Sequence, residues 1–79
     1  MKELLVRFDS IREIEQFVKA ATPSLGKILV SEGDRVTNGK SILGLISMGP
    51  RKTLTVFFEG TETDYTAFVQ GIESYLVTN

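Results

Sequence analysis

What most constrains the fold is how the apolar residues change period along only 79 residues. Leu4, Val6 and Phe8 alternate as in a half-buried strand. Ile11, Ile14, Phe17, Val18 and Ala21 instead share one face of a helix, which Asp9 or Ser10 opens and which stops near Pro23. Ile28 and Val30 mark a second strand, and Glu32, Gly33 and Asp34 make a tight turn to a short third strand around Val36. Gly39 precedes a second helix, Ser41 to Met48, that Gly49 and Pro50 close. Leu54, Val56 and Phe58 alternate again until Gly60 and Thr61 break the strand. Tyr65, Phe68, Val69, Ile72, Tyr75 and Leu76 then recur at three- and four-residue steps, which predicts one amphipathic closing helix. The order is βαββαβα. Four strands with helices covering one face predict a two-layer α+β sandwich.

A chain of this length makes a single domain, 1–79, of a size that buries only about 60% of its unfolded surface. Nine basic residues against ten acidic ones give a net charge of −1, and the basic residues are scattered, which argues against a nucleic-acid or anionic-membrane surface. With no cysteine and no histidine, the chain has no disulfide, no thiolate nucleophile, no usual zinc framework and no imidazole base. No metal and no cofactor is expected. A small domain without disulfides fits a reducing compartment, so a cytoplasmic location is expected. The apolar start from Leu4 to Val6 is too short for a signal-peptide core and is interrupted by Arg7, and no other stretch approaches membrane-spanning length.

Gly33 to Ser41 imitates a phosphate-binding P-loop, G-x-x-x-x-G-K-[ST], without meeting it. The first glycine comes one residue too early, Asp34 stands in its place, and the following helix is short.

Lys40-Ser41-Ile42-Leu43-Gly44-Leu45-Ile46-Ser47-Met48-Gly49 follows the pattern Lys-Ser-Ile-x-Gly-x-x-Ser-x-Gly. It resembles the serine-bearing short helix of HPr, the phosphocarrier family of the bacterial sugar phosphotransferase system, and the order and length of elements follow that family over nearly all of the chain. The resemblance implies an antiparallel sheet of order 1-4-2-3 with one face open to solvent. Carried without gaps into the first helix, it places the family's active-site histidine at Ser10, its phosphate-contacting arginine at Arg12, and the usual following proline at Glu13. The arginine is kept; the histidine and the proline are not. A carrier that works through phosphohistidine cannot work without one.

Ser10 has two readings. It occupies the family's phosphorylated position at a helix N-terminus, a natural anion site. It also forms, with Glu13, the sequence of a capping box, and Glu13 and Glu15 put negative charge where a phosphate would sit. The capping box is the stronger reading. Arg12 is either a solvated first-turn residue or a contact for an acidic group or phosphoserine of a partner.

Ser41 matches the serine that, in HPr-like proteins of many Gram-positive bacteria, a dedicated kinase phosphorylates so that the phosphoprotein binds a transcriptional regulator. Its plain role is an N-cap, worth about 1 kcal/mol. The second helix is too apolar for a small surface helix. Periodicity alone buries Ile42, Leu45 and Ile46 and exposes Leu43, whereas the resemblance exposes Ile42, Leu43 and Ile46 as a partner-binding patch.

The expected function is therefore a non-enzymatic, HPr-like regulatory or binding module that has lost phosphohistidine transfer. Its partners would be proteins reached through the second helix and a serine kinase, with no nucleic acid and no membrane. Two alternatives stand beside it. One is a plain interaction domain in which Ser41 is only a cap, and the other is a carrier that uses Ser10.

Overall fold

Four strands and three helices form in the order that the apolar periods dictate. They are β1 (Lys2–Arg7), α1 (Ile11–Ala21), β2 (Lys27–Glu32), β3 (Arg35–Asn38), α2 (Ile42–Met48), β4 (Thr53–Glu59) and α3 (Glu62–Ile72), followed by a 3-10 turn at Glu73–Tyr75. The structure, a computed structural model, describes residues 1–77.

The strands make one antiparallel sheet in the order β1-β4-β2-β3. Val6 lies opposite Leu54, Leu4 opposite Val56, and Val56 opposite Val30, so the alternating apolar residues of three strands fall on one face. The helices cover that face. Ile14, Phe17 and Ala21 of α1, Leu45 and Met48 of α2, and Phe68 and Ile72 of α3 are buried against it. A ladder of rings joins the layers, with Phe8 edge-on to Phe17 at 5.1 Å, Phe17 edge-on to Phe68 at 5.8 Å, and Phe68 stacked on Phe58 at 5.6 Å. The opposite face carries Glu3, Leu5, Arg7, Thr53, Thr55, Phe57, Lys27, Leu29, Ser31 and Val36 and is open.

Two expectations need correction. Ile11 is not in the core: the first residue of α1, it is 41% exposed. The closing helix also ends earlier than its periodicity implies, at Ile72. Beyond it the Tyr75 ring packs edge-on against Phe8 at 5.6 Å, and Leu76 leaves helical geometry to bridge Val6. The Val77 N–H then donates to the Leu5 carbonyl at 2.9 Å, so the outer edge of β1 gains backbone pairing that a longer helix would forfeit.

Candidate functional site

The N-terminus of α1 is built from within the chain. Ser10, in extended geometry, is the N-cap, and its hydroxyl accepts the Glu13 N–H at 3.2 Å. The Glu13 carboxylate reaches back one residue farther than in the usual capping box and accepts the Asp9 N–H at 2.9 Å. Asp9 also pairs with Arg7 at 3.5 Å, an exposed contact of little energetic weight. The connection from α2 to β4 passes beside this point. The Arg51 N–H donates to the Phe8 carbonyl at 2.6 Å from a left-handed backbone, φ 67°, a geometry that the sequence gives no reason to expect of an arginine.

Ser10 thus sits among two carboxylates with its hydroxyl already engaged. Tyr75 borders the same cluster, its hydroxyl donating to Gln16 Oε1 at 2.7 Å. Burial pushes the Tyr75 phenol above its ordinary value, and the Glu13 carboxylate adds to the effect.

Ser41 caps α2 in the same manner, its hydroxyl accepting the Gly44 N–H at 3.1 Å. The glycine of the motif has a packing reason. A Cβ on Gly44 would run into Thr37 Oγ1 of β3, so only glycine lets α2 lie this close to the sheet edge. At the other end Gly49, with φ 85°, closes the helix by donating to the Leu45 carbonyl. Lys40, although adjacent to Ser41, is already committed. Its Nζ donates to the Ser24 carbonyl at 2.6 Å and ties the start of α2 to the loop after α1.

Along α2, Leu45 and Met48 are buried, Ile42 is half-buried against the core, Leu43 is 79% exposed and Ile46 is 37% exposed. Periodicity alone therefore misplaces Ile46. Two helical turns do not define a stripe, and Met48, which the periodicity left out, takes the second core position.

An open groove of about 700 Å³ runs along α1 from Arg12 past Glu15 and Lys19 to Pro23 and Ile42. It places Arg12 and Ile42 on one surface. Its floor is apolar at Val18 and Ile42, and its rim carries two cations and one carboxylate. Glu15 and Lys19 were legible only as the polar face of a helix, because the groove comes from the docking of α2 beside α1. Among the described residues no acidic cluster could hold a metal ion, and no helix is long and apolar enough to cross a membrane.

Solved structures match this arrangement over almost its full length. HPr-C-His from Thermoanaerobacter tengcongensis superposes with a TM-score of 0.75 at 29% identity, covering 94% of this chain and 93% of that one. The fold is HPr-like. The histidine-containing phosphocarrier protein of Mycoplasma superposes at a TM-score of 0.72 with 18% identity, covering 92% of this chain and 89% of that one. HPr from Bacillus anthracis does so at 0.68 with 23% identity, covering 89% and 94%. At those two identities the likeness is one of fold alone. No known family profile and no curated protein matches the sequence. The HPr-like fold accounts for the sheet order 1-4-2-3 and for the position of the serine-bearing helix beside α1.

Proposed function

We propose that this chain is a non-enzymatic, HPr-like regulatory or binding module, without phosphohistidine transfer, whose binding is switched by phosphorylation of Ser41. The observation that carries the loss of transfer is the absence of any histidine from a chain with this fold, joined to the Asp9 and Glu13 carboxylates beside Ser10 at the family's histidine position. A hydroxyl with two carboxylates beside it is poorly placed to receive a phosphoryl group, whereas Ser41, capped in the same way, has no acidic residue in the first turn of its helix.

The docking surface is the exposed apolar face of α2 at Leu43 and Ile46, with the half-buried Ile42, which the resemblance expected to be exposed, at its margin, continued by the groove that leads to Arg12. A phosphate on Ser41 would add a charge of roughly −1.5 to −2 beside unpaired N–H groups at a helix start, which the fold tolerates. Since Lys40 is held by Ser24, the new charge is left for a partner's arginine. The partner is a transcriptional regulator or an enzyme of the cytoplasm, and the modifying enzyme is a serine kinase.

Incubation with HPr kinase and ATP, followed by intact mass measurement of wild type and Ser41→Ala, tests the assignment. One phosphate on wild type and none on the variant is expected. No modification of wild type would leave the plain interaction domain, which the clean N-cap geometry of Ser41 favours as the second reading. A relay through Ser10 is the least supported, because a serine phosphoester lacks the transfer potential that a relay needs.

A further inference from the structure

We propose that the outer edge of β3 pairs antiparallel with the same edge of a second copy of this chain, with Val36 on the two-fold axis.

The sheet has two edges, and the chain treats them differently. The edge of β1 is covered by its own C-terminal segment through Val77 and Leu76. On that of β3 the Asn38 carbonyl accepts the Ser41 N–H at 3.0 Å, and no described residue bonds the backbone groups of Val36. Which of its backbone groups face outward follows from the ladder. Leu29 lies opposite Asn38, so Ile28 lies opposite Gly39, whose N–H donates to the Ile28 carbonyl at 2.8 Å. Hydrogen-bonded pairs in an antiparallel ladder recur every second residue, so Thr37 and Arg35 also face β2, and Val36 and Asn38 turn their N–H groups outward.

Most of the usual guards of a free edge are missing here. The strand contains no proline and no lysine. Its one charged side chain, Arg35, is drawn back onto α2, where it donates to the Ser47 carbonyl at 3.3 Å and to the Ser47 hydroxyl at 3.2 Å. Val36, β-branched and 60% exposed, lies on the open face of the sheet opposite Ser31. The remaining guard is length, since β3 has only four residues.

A second copy fits this edge better than an unrelated strand because the edge complements itself. With Val36 on the axis, the two valines exchange N–H and carbonyl groups as a close pair and their side chains meet on one face. Arg35 then faces Thr37 of the second copy, so no like charges are opposed. Asp34 faces Asn38 of the second copy. Asn38 Oδ1 already accepts the Lys40 N–H at 2.8 Å, which leaves its side-chain NH2 to donate to the Asp34 carboxylate. The product is one continuous eight-stranded sheet. So short an interface gives a weak, exchanging dimer, well below the size of a permanent one.

Sedimentation equilibrium and amide NMR of the whole chain over a concentration series test the proposal. Self-association is expected, with the Val36 and Asn38 amide resonances moving and gaining protection from exchange as concentration rises. Val36→Pro removes an N–H that no bond within the chain uses, so it should keep the fold by circular dichroism and weaken association at least tenfold. Should that variant unfold, Val36→Lys serves instead. It keeps the N–H but opposes two cations across the axis, and its loss of association should be partly relieved by salt. A monomer at all concentrations, association untouched by both variants, resonance shifts centred on α2, or binding of a foreign strand peptide without self-association would each overturn the proposal.

Discussion

The hydroxyl of Ser10 accepts the N–H of Glu13 at 3.2 Å, while the Glu13 carboxylate turns back to the N–H of Asp9 at 2.9 Å. Where the HPr resemblance expects a phosphorylated side chain, the chain closes a capping box around its own helix start. Ser10→Ala should cost about 1 kcal/mol in stability, read by urea unfolding. Neither wild type nor variant should take phosphate from phosphoenolpyruvate through the relay's first enzyme. An acid-labile phosphoprotein from either would remove the basis for calling this position structural.

Leu43 extends into solvent from a helix whose buried face is made by Leu45 and Met48. Leu43→Asp should therefore change stability by less than about 0.5 kcal/mol while abolishing binding to any partner that docks on α2. A cooperative loss of folding would place Leu43 in the core instead.

Tyr75 joins the C-terminal turn to α1 through Gln16. Its pKa is raised by burial first and by Glu13 second, so the neutral phenol is favoured in the folded state. The sign follows. The contribution is complete below the unfolded value of 10.0 and is lost as pH rises through the higher folded value. Thermal melts should show stability falling above about pH 10, and Tyr75→Phe should flatten that fall while lowering stability at neutral pH by about 1 kcal/mol for the lost hydrogen bond. An unchanged alkaline profile in the variant would assign the fall to other groups.

Gly44 holds α2 against Thr37 of β3. Gly44→Ala gains helix propensity of about 1 kcal/mol yet forces the helix off the strand, so the net change should be destabilising, by roughly 1–3 kcal/mol. A stabilised variant would show that the contact yields freely.

The element order was legible because the apolar runs of β1, α1, β4 and α3 are long enough to declare their period, and because Ser10, Gly39, Gly49 and Gly60 punctuate the chain near the ends of elements. The departures have local causes. Ile11 fits the helical period but is the first residue of α1, at the end of the helix, and stays 41% exposed. Leu76 continues the period of α3 in sequence, yet the bare edge of β1 offers it backbone pairing that a longer helix lacks. In α2 the seven residues are too few for periodicity to separate Ile46 from Met48. The groove beside Arg12 was invisible for a different reason, since it is made by two helices remote in sequence.

The measurement that bears most directly on the central claim is intact mass after two parallel incubations, one with HPr kinase and ATP, the other with the relay's first enzyme and phosphoenolpyruvate. The account predicts a single phosphate in the first, lost in Ser41→Ala and retained in Ser10→Ala, and an unchanged mass in the second. Phosphate acquired from phosphoenolpyruvate, or a wild-type chain left unmodified by the kinase, would contradict it.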